Sequence, residues 1–280
     1  MRAAPLARSC AGADAVPFAR VDGVDLYYEV DGPVAHDGRT TLVYAHGGEG
    51  THLHWWQQVA ALSPRYRCVT YDARGFGRSG TTPSAYGTDS HRVDLLGLLD
   101  ACGIDRAVLI GQSMGGHAVS GVALHHPERV LGVVMGDTPF GFATAALAAW
   151  SAQMIEKLAN GFDVIANCVS PGFRNRRPDL AFLFDALGRA NPPRTGPRGL
   201  DAYRQMMTQP AGNYSAFATP TCFVVGDEDA LTPPWLIEAT TCAIPGAVRY
   251  VVPGAGHSVY FERADVFNEI VTTFVESVHH

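Results

Sequence analysis

Ala107-Val108-Leu109-Ile110-Gly111-Gln112-Ser113-Met114-Gly115 carries a short apolar run into G-x-S-x-G and directly on into a helical stretch, 114–125, that Pro127 stops. A serine at so sharp a strand-to-helix bend must take a strained backbone conformation. Residues two away on either side then come too close to carry a Cβ, which explains Gly111 and Gly115. The helix start behind the serine turns its free N–H groups and positive dipole end toward a developing anion. Five residues alone are short enough to be an ordinary glycine-rich turn, but the strand before and the helix after favour a nucleophile.

Working outward, further apolar runs of the same length appear at Thr41–Ala45, Arg67–Tyr71, 130–135, 220–225 and Val248–Val252. Each is bounded by glycine, proline or polar residues, the pattern of strands buried on both faces. Helical stretches stand between them at 55–62, at 91–102 with Thr88 or Asp89 as candidate N-cap, and at 265–278. In the last, Val266, Ile270, Val271, Phe274 and Val275 share one face. Strand and helix in alternation predict an α/β fold, a doubly wound, mostly parallel β-sheet with helices on both faces. Ahead of it, 16–21 and 26–30 flank Asp22-Gly23 as a β-hairpin. Residues 140–214 break the alternation, being helix-like at 143–158 and then rich in Pro, Arg and aromatics. The expected organisation is a mobile leader at 1–15, a core at 16–139 and 215–278, and a helical insertion at 140–214.

The 280 residues suit one domain carrying such an insertion, with 47% hydrophobic and 17% charged residues. A net charge of −6 without a basic run excludes nucleic acid as an expected partner. Nothing approaches the ~18 consecutive apolar residues of a membrane span, so no membrane partner is expected. The six cysteines show no metal or framework spacing and fit a reducing compartment; with no signal-peptide run in the first twenty residues, the expectation is a cytoplasmic protein. His52 and His54 stand two apart without acidic or cysteine company and read as a polar rim, so no metal is expected, and no loop suggests a cofactor.

Acyl transfer requires an imidazole to take the serine proton and a carboxylate to fix the imidazole tautomer. His257, delivered by Gly254-Ala255-Gly256, is the candidate base. The chain here resembles the α/β-hydrolase family, from Val16 to its end. His46-Gly47-Gly48, Asp72-Ala73-Arg74-Gly75-Phe76-Gly77-Arg78-Ser79, Gly226-Asp227-Glu228-Asp229 with Pro233, and Gly254-Ala255-Gly256-His257 fall in that family's order around the G-x-S-x-G. The resemblance implies a serine hydrolase with Ser113 as nucleophile, Asp229 as acid and His257 as base, in the order Ser…Asp…His. Asp137, at the end of the strand after the nucleophile helix, is the alternative acid. The backbone N–H groups of Met114 and Gly48 would form the oxyanion hole, and residues 140–214 a cap over the nucleophile. His46 reads as a loop anchor and His117 as a packed core histidine.

A serine rather than an aspartate at the nucleophile position argues against epoxide opening and dehalogenation. Trp55, beyond the His46-Gly47-Gly48 loop, and Phe140, Trp150, Met154 and Met206 of the insertion are the candidate walls of an apolar substrate pocket, although each of the last four taken singly suits the cap's own core. Arg174, Arg176 and Arg177 read as a solvated face. The expected partner is a small-molecule substrate, a carboxylic ester or lactone cleaved through an acyl-enzyme, with a homodimer left open. A carbon–carbon bond hydrolase, a cofactor-free oxygenase or lyase, and a small-molecule receptor on the same scaffold remain alternatives.

Overall fold

In the computed structural model, which describes residues 17–33, 39–81, 88–192 and 214–278, Asp22-Gly23 closes an antiparallel hairpin between β1 (Phe18–Val21) and β2 (Val24–Asp31). Both turn residues have positive φ, 44° and 78°, a geometry whose twist matches that of the flanking strands. The leader at 1–15 lies outside the described residues. Six strands follow: β3 (Thr41–Ala45), β4 (Arg67–Tyr71), β5 (Ala107–Gln112), β6 (Val130–Gly136), β7 (Thr221–Gly226) and β8 (Val248–Val252). They pair in parallel, and the full sheet runs β1-β2-β4-β3-β5-β6-β7-β8. The hairpin joins it antiparallel through β2 and β4.

Alternate side chains of the central strands feed opposite cores, as the two-residue period demands. Val43, Ala45, Ala107 and Leu109 pack with Leu95, Leu98 and Leu99 of α2 (Thr88–Ala101) and with Val119 and Val122 of α3 (Gly115–His125). Leu42, Tyr44, Val108 and Ile110 pack with Leu62 of α1 (Trp56–Leu62) and with Phe267, Ile270, Val271, Phe274 and Val275 of α9 (Ala264–Val278). Burying one such side chain contributes about 1.5–3 kcal/mol, so the apolar face of α9 alone accounts for its docking. The reading of strands covered on both faces fails at β8, where Val248, Tyr250 and Val251 are 45, 41 and 41% exposed. β8 is the last strand in the order, with a neighbour on one side only.

Between β6 and β7 stand α4 (Ala145–Ala159), α5 (Pro171–Arg176) and α6 (Pro178–Arg189), with no strand among the described residues of that stretch. Ser170 and Thr144 cap α5 and α4, each accepting a backbone N–H three residues on. Phe140, Leu147, Trp150, Met154 and Cys168 form a third core there with Leu231 and Leu236. Leu236 lies on α7 (Pro234–Cys242), and α8 (Val259–Glu262) completes the set.

Candidate active site

Ser113 follows β5 directly and sits at φ 47°, a left-handed conformation that costs a side-chain-bearing residue roughly 1–2 kcal/mol. Its backbone holds it there: the N–H donates to Gly136 O at 3.0 Å, and its carbonyl accepts from Gly116 N and Thr138 Oγ1, each at 2.9 Å. The flanking glycines are required sterically. A Cβ at position 111 would lie 2.6 Å from the Gly115 carbonyl, and one at 115 would collide with the Ala45 carbonyl at the end of β3.

His257, 3% exposed, is reached by the loop after β8, and its Nδ1 stands 2.9 Å from Asp229 Oδ2 and 3.1 Å from Oδ1. Asp229, on the turn after β7, is itself oriented. Its Oδ1 accepts from the N–H groups of Leu231 and Thr232, each at 2.8 Å, and Thr232 Oγ1 lies 2.8 Å from Oδ2. Gln112, the residue before the serine, donates its Nε2 to His257 O at 2.7 Å. Glu262 on α8 accepts from Gly256 N at 3.1 Å, and burial raises its carboxyl above the ordinary range. Neither brace was foreseen. A hydrogen bond spanning 145 residues, like that of Gln112, leaves no periodic or spacing signal in a sequence.

The structure separates the two candidate acids. Asp137 is fully buried and does not stand on the imidazole; its Oδ1 accepts from Gly226 N at 3.1 Å and its Oδ2 from Val259 N at 3.0 Å. It therefore ties the end of β7, just before the Asp229 turn, to the start of α8, just after His257. Burial, and then the neighbouring charge of Asp229, hold its carboxyl well above the usual carboxylate range.

The loop after β3 lies against Ser113, since a Cβ at Gly47 would reach within 3.1 Å of Ser113 Cβ and run into the Gln112 side chain. His46 anchors this loop. Ala73 N donates to Nε2 at 2.9 Å, which leaves Nδ1 to donate to Gly47 O at 2.7 Å. Gly48 is exposed, with nothing within 4 Å of where its Cβ would stand, and Met114 is buried at the start of α3. His52 and His54 are not a polar rim: they are 6 and 1% exposed. Burial disfavours charge on His52, but Asp72, whose Oδ1 lies 2.8 Å from Nδ1, and Glu29 raise it to about 9. Burial and the nearby His46 lower His54 to about 4.

His117 is a core histidine, stacked on Phe140 with ring centroids 4.9 Å apart and planes 11° from parallel. Burial, then His91, pushes it down to about 3. A value depressed below the unfolded 6.5 means that the neutral ring contributes fully above pH 6.5. The contribution is lost as pH falls toward 3. Between pH 7 and 5 this group removes about 2 kcal/mol of stability. Urea unfolding of His117→Leu is expected to show a loss between those two pH values smaller than the wild type's by about that amount. Equal losses in the two proteins would assign the acid sensitivity elsewhere.

Of the candidate substrate residues, Phe140, Trp150 and Met154 come together in the third core, 4, 3 and 2% exposed. Trp150 Nε1 also donates to Leu231 O at 2.9 Å, two residues beyond Asp229. Trp55 is placed differently from expectation. It is fully buried among Tyr44, Tyr260 and Phe267 at centroid distances of 5.1, 4.5 and 6.2 Å, a core side chain rather than a pocket wall. Met206 lies outside the described residues. Arg174 pairs with Asp185 and Arg177 with Asp179, each at 2.9 Å, while Arg176 donates to Gly254 O. Among the described residues no group of three His, Cys, Asp or Glu side chains could hold a metal ion, and no helix is long and apolar enough to cross a membrane.

A family model for the alpha/beta hydrolase fold matches residues 40–264. The chain belongs to the α/β-hydrolase fold family. This α/β hydrolase is similar to a putative carbamate hydrolase RutD of Caulobacter sp. (strain K31), 44% identical over 116 residues, 39% of this chain and 40% of that protein. It is also similar to 3-oxoadipate enol-lactonase 2 of Acinetobacter baylyi, 32% identical over 148 residues, 51% of this chain and 54% of the relative. The matched stretches thus span about half or less of these curated relatives. Among solved structures, the enol-lactonase from Burkholderia xenovorans LB400 superposes with a TM-score of 0.73 at 25% identity, over 93% of this chain and all of that one.

Proposed function

We propose that this α/β hydrolase is a serine hydrolase cleaving a small, largely apolar carboxylic ester or lactone through an acyl-enzyme. The observation that carries the reading is the His257 Nδ1–Asp229 Oδ2 distance of 2.9 Å in a site whose serine is held at φ 47°. A carboxylate on Nδ1 keeps the proton there, and the Nε2 lone pair is left to accept the Ser113 hydroxyl proton. Ser113 Oγ bonds to the carbonyl carbon as that proton moves to His257. The resulting oxyanion is held by the N–H groups of Met114 and Gly48, each worth about 2.7–4 kcal/mol to the transition state. Collapse expels the alcohol, which takes the imidazolium proton. Water, deprotonated by His257, then releases the acid; in a lactone the alcohol and the acid leave as one molecule.

In this reading the insertion at 140–214 serves as the cap, and the core of Phe140, Trp150 and Met154 with Leu231 supplies apolar surroundings next to the Asp229 turn. The likeness to two enol-lactonases supports a lactone among the substrates. Exposure to a fluorophosphonate, followed by peptide mapping, tests the reading together with hydrolysis of a short-chain aryl ester and a panel of lactones. A single adduct on Ser113 is expected, with turnover falling by about 10^4- to 10^6-fold in Ser113→Ala and in His257→Ala. An unlabelled Ser113, or turnover surviving in Ser113→Ala, would overturn it.

A further inference from the structure

Each of the three functional loops of this hydrolase is tied to the stretch between β6 and β7. Trp150 holds the turn after Asp229, and Ser170 Oγ donates at 2.8 Å to Glu262, whose other oxygen takes Gly256 N beside His257. Asn191, two residues past α6, holds the third, the loop of Gly47, Gly48 and Glu49. Its Oδ1 accepts from Gly77 N at 2.7 Å, while its Nδ2 donates to Glu49 O at 2.8 Å and lies 3.3 Å from Gly50 O. The partners fix the amide's orientation, because its oxygen faces an N–H and its nitrogen faces carbonyls.

The loop that Asn191 grips is a tight turn, closed by Gly50 N on Gly47 O at 3.1 Å. Glu49 occupies its third position at φ 62°, where the left-handed conformation favours glycine or asparagine. A turn that strains a side-chain-bearing residue persists only where its surroundings over-determine it. Asn191 supplies that constraint on the carbonyl side of Glu49 and Gly50. His46 supplies it on Gly47 O. The N–H of Gly48 lies within this turn, between the two constraints. Resting on the serine-hydrolase reading above, we infer that Asn191 is a positioning residue for the oxyanion hole, acting through the Gly48 N–H and set there by the segment between β6 and β7.

The test compares wild type with Asn191→Ala and with Asn191→Asp, which keeps the acceptor for Gly77 and removes both donors. Rates are normalised to sites titrated by fluorophosphonate, so misfolded protein does not count. In both variants kcat is expected to fall about 10- to 100-fold with KM within about threefold of wild type, less than the loss from deleting a donor outright. Affinity for an alkylboronic acid, whose anionic adduct on Ser113 occupies the oxyanion hole, should fall by the same factor. Unchanged kcat per titrated site, or unchanged boronate affinity beside a lowered melting temperature, would make Asn191 merely structural and overturn the inference. A third readout is independent of turnover. In 15N-labelled protein the Gly48 and Gly50 amide signals should shift and exchange faster in Asn191→Ala. If the wild type shows neither labelling nor turnover, the serine-hydrolase reading fails, and unshifted amides would then sink the positioning role separately.

Discussion

Asp229→Asn is expected to lower kcat by about 10^4-fold while the protein stays folded. Asparagine keeps an oxygen for the Leu231 and Thr232 N–H groups, which Asp229 Oδ1 now serves at 2.8 Å, so the turn should survive. Its amide nitrogen then takes the place of Oδ2, 2.9 Å from His257 Nδ1. An NH2 donor there requires Nδ1 to accept, which moves the imidazole proton to Nε2. A ring protonated at Nε2 cannot take the Ser113 proton. Steady-state rates on titrated sites measure the effect. A loss of only a few-fold would mean that another group fixes the tautomer. Asp137→Asn would then show the larger deficit, which the present geometry does not predict.

The second large effect concerns stability. Arg74 and Asp94 form a buried bidentate pair, Nε to Oδ2 at 2.6 Å and Nη2 to Oδ1 at 2.5 Å, with both side chains 1% exposed. Burial raises the Asp94 carboxyl and Arg74 opposes it, while hydrogen bonding to Asp94 raises Arg74 further. Asp94→Leu strands a guanidinium in the core and is expected to lose about 3–5 kcal/mol. In thermal unfolding that corresponds to roughly 5–10 °C. Asp22 at 3.7 Å offers little substitute, because its side chain is 66% exposed. The double variant Arg74→Met/Asp94→Leu should recover most of the loss, since two apolar groups of similar volume leave no charge unpaired. A double variant no more stable than Asp94→Leu would show that packing, and not the orphaned charge, sets the cost.

Much of the fold was legible because its determinants are local. Short apolar runs mark the central strands, since a strand covered on both faces has no need of polar residues. Strand limits followed the same chemistry: β7 starts at Thr221 and not Pro220, which has no N–H for the ladder, although its carbonyl still accepts from Val133 N at 2.9 Å. Helix starts were less legible. Thr88 and Asp89, the candidate N-caps, both lie within α2. Trp55 misled because its position beyond the loop after β3 suits a pocket wall as well as a core, and the approach of Tyr260 and Phe267 from the far end of the chain buries it.

By itself, then, the sequence determined the hairpin, the parallel sheet, the serine turn and the order of the loops around it. Each of these rests on turn sterics, strand period or helix period over a few neighbouring residues. Only the tertiary structure decided which carboxylate meets His257, that Gln112 and Glu262 brace the histidine loop, and that Asn191 grips the turn after β3. Those contacts join groups far apart in the chain, His257 and Asp229 being separated by 28 positions and Asn191 and Glu49 by 142. A hydrogen bond is decided within a few tenths of an ångström, and that precision comes from how the sheet and helices pack, which no short stretch of sequence encodes.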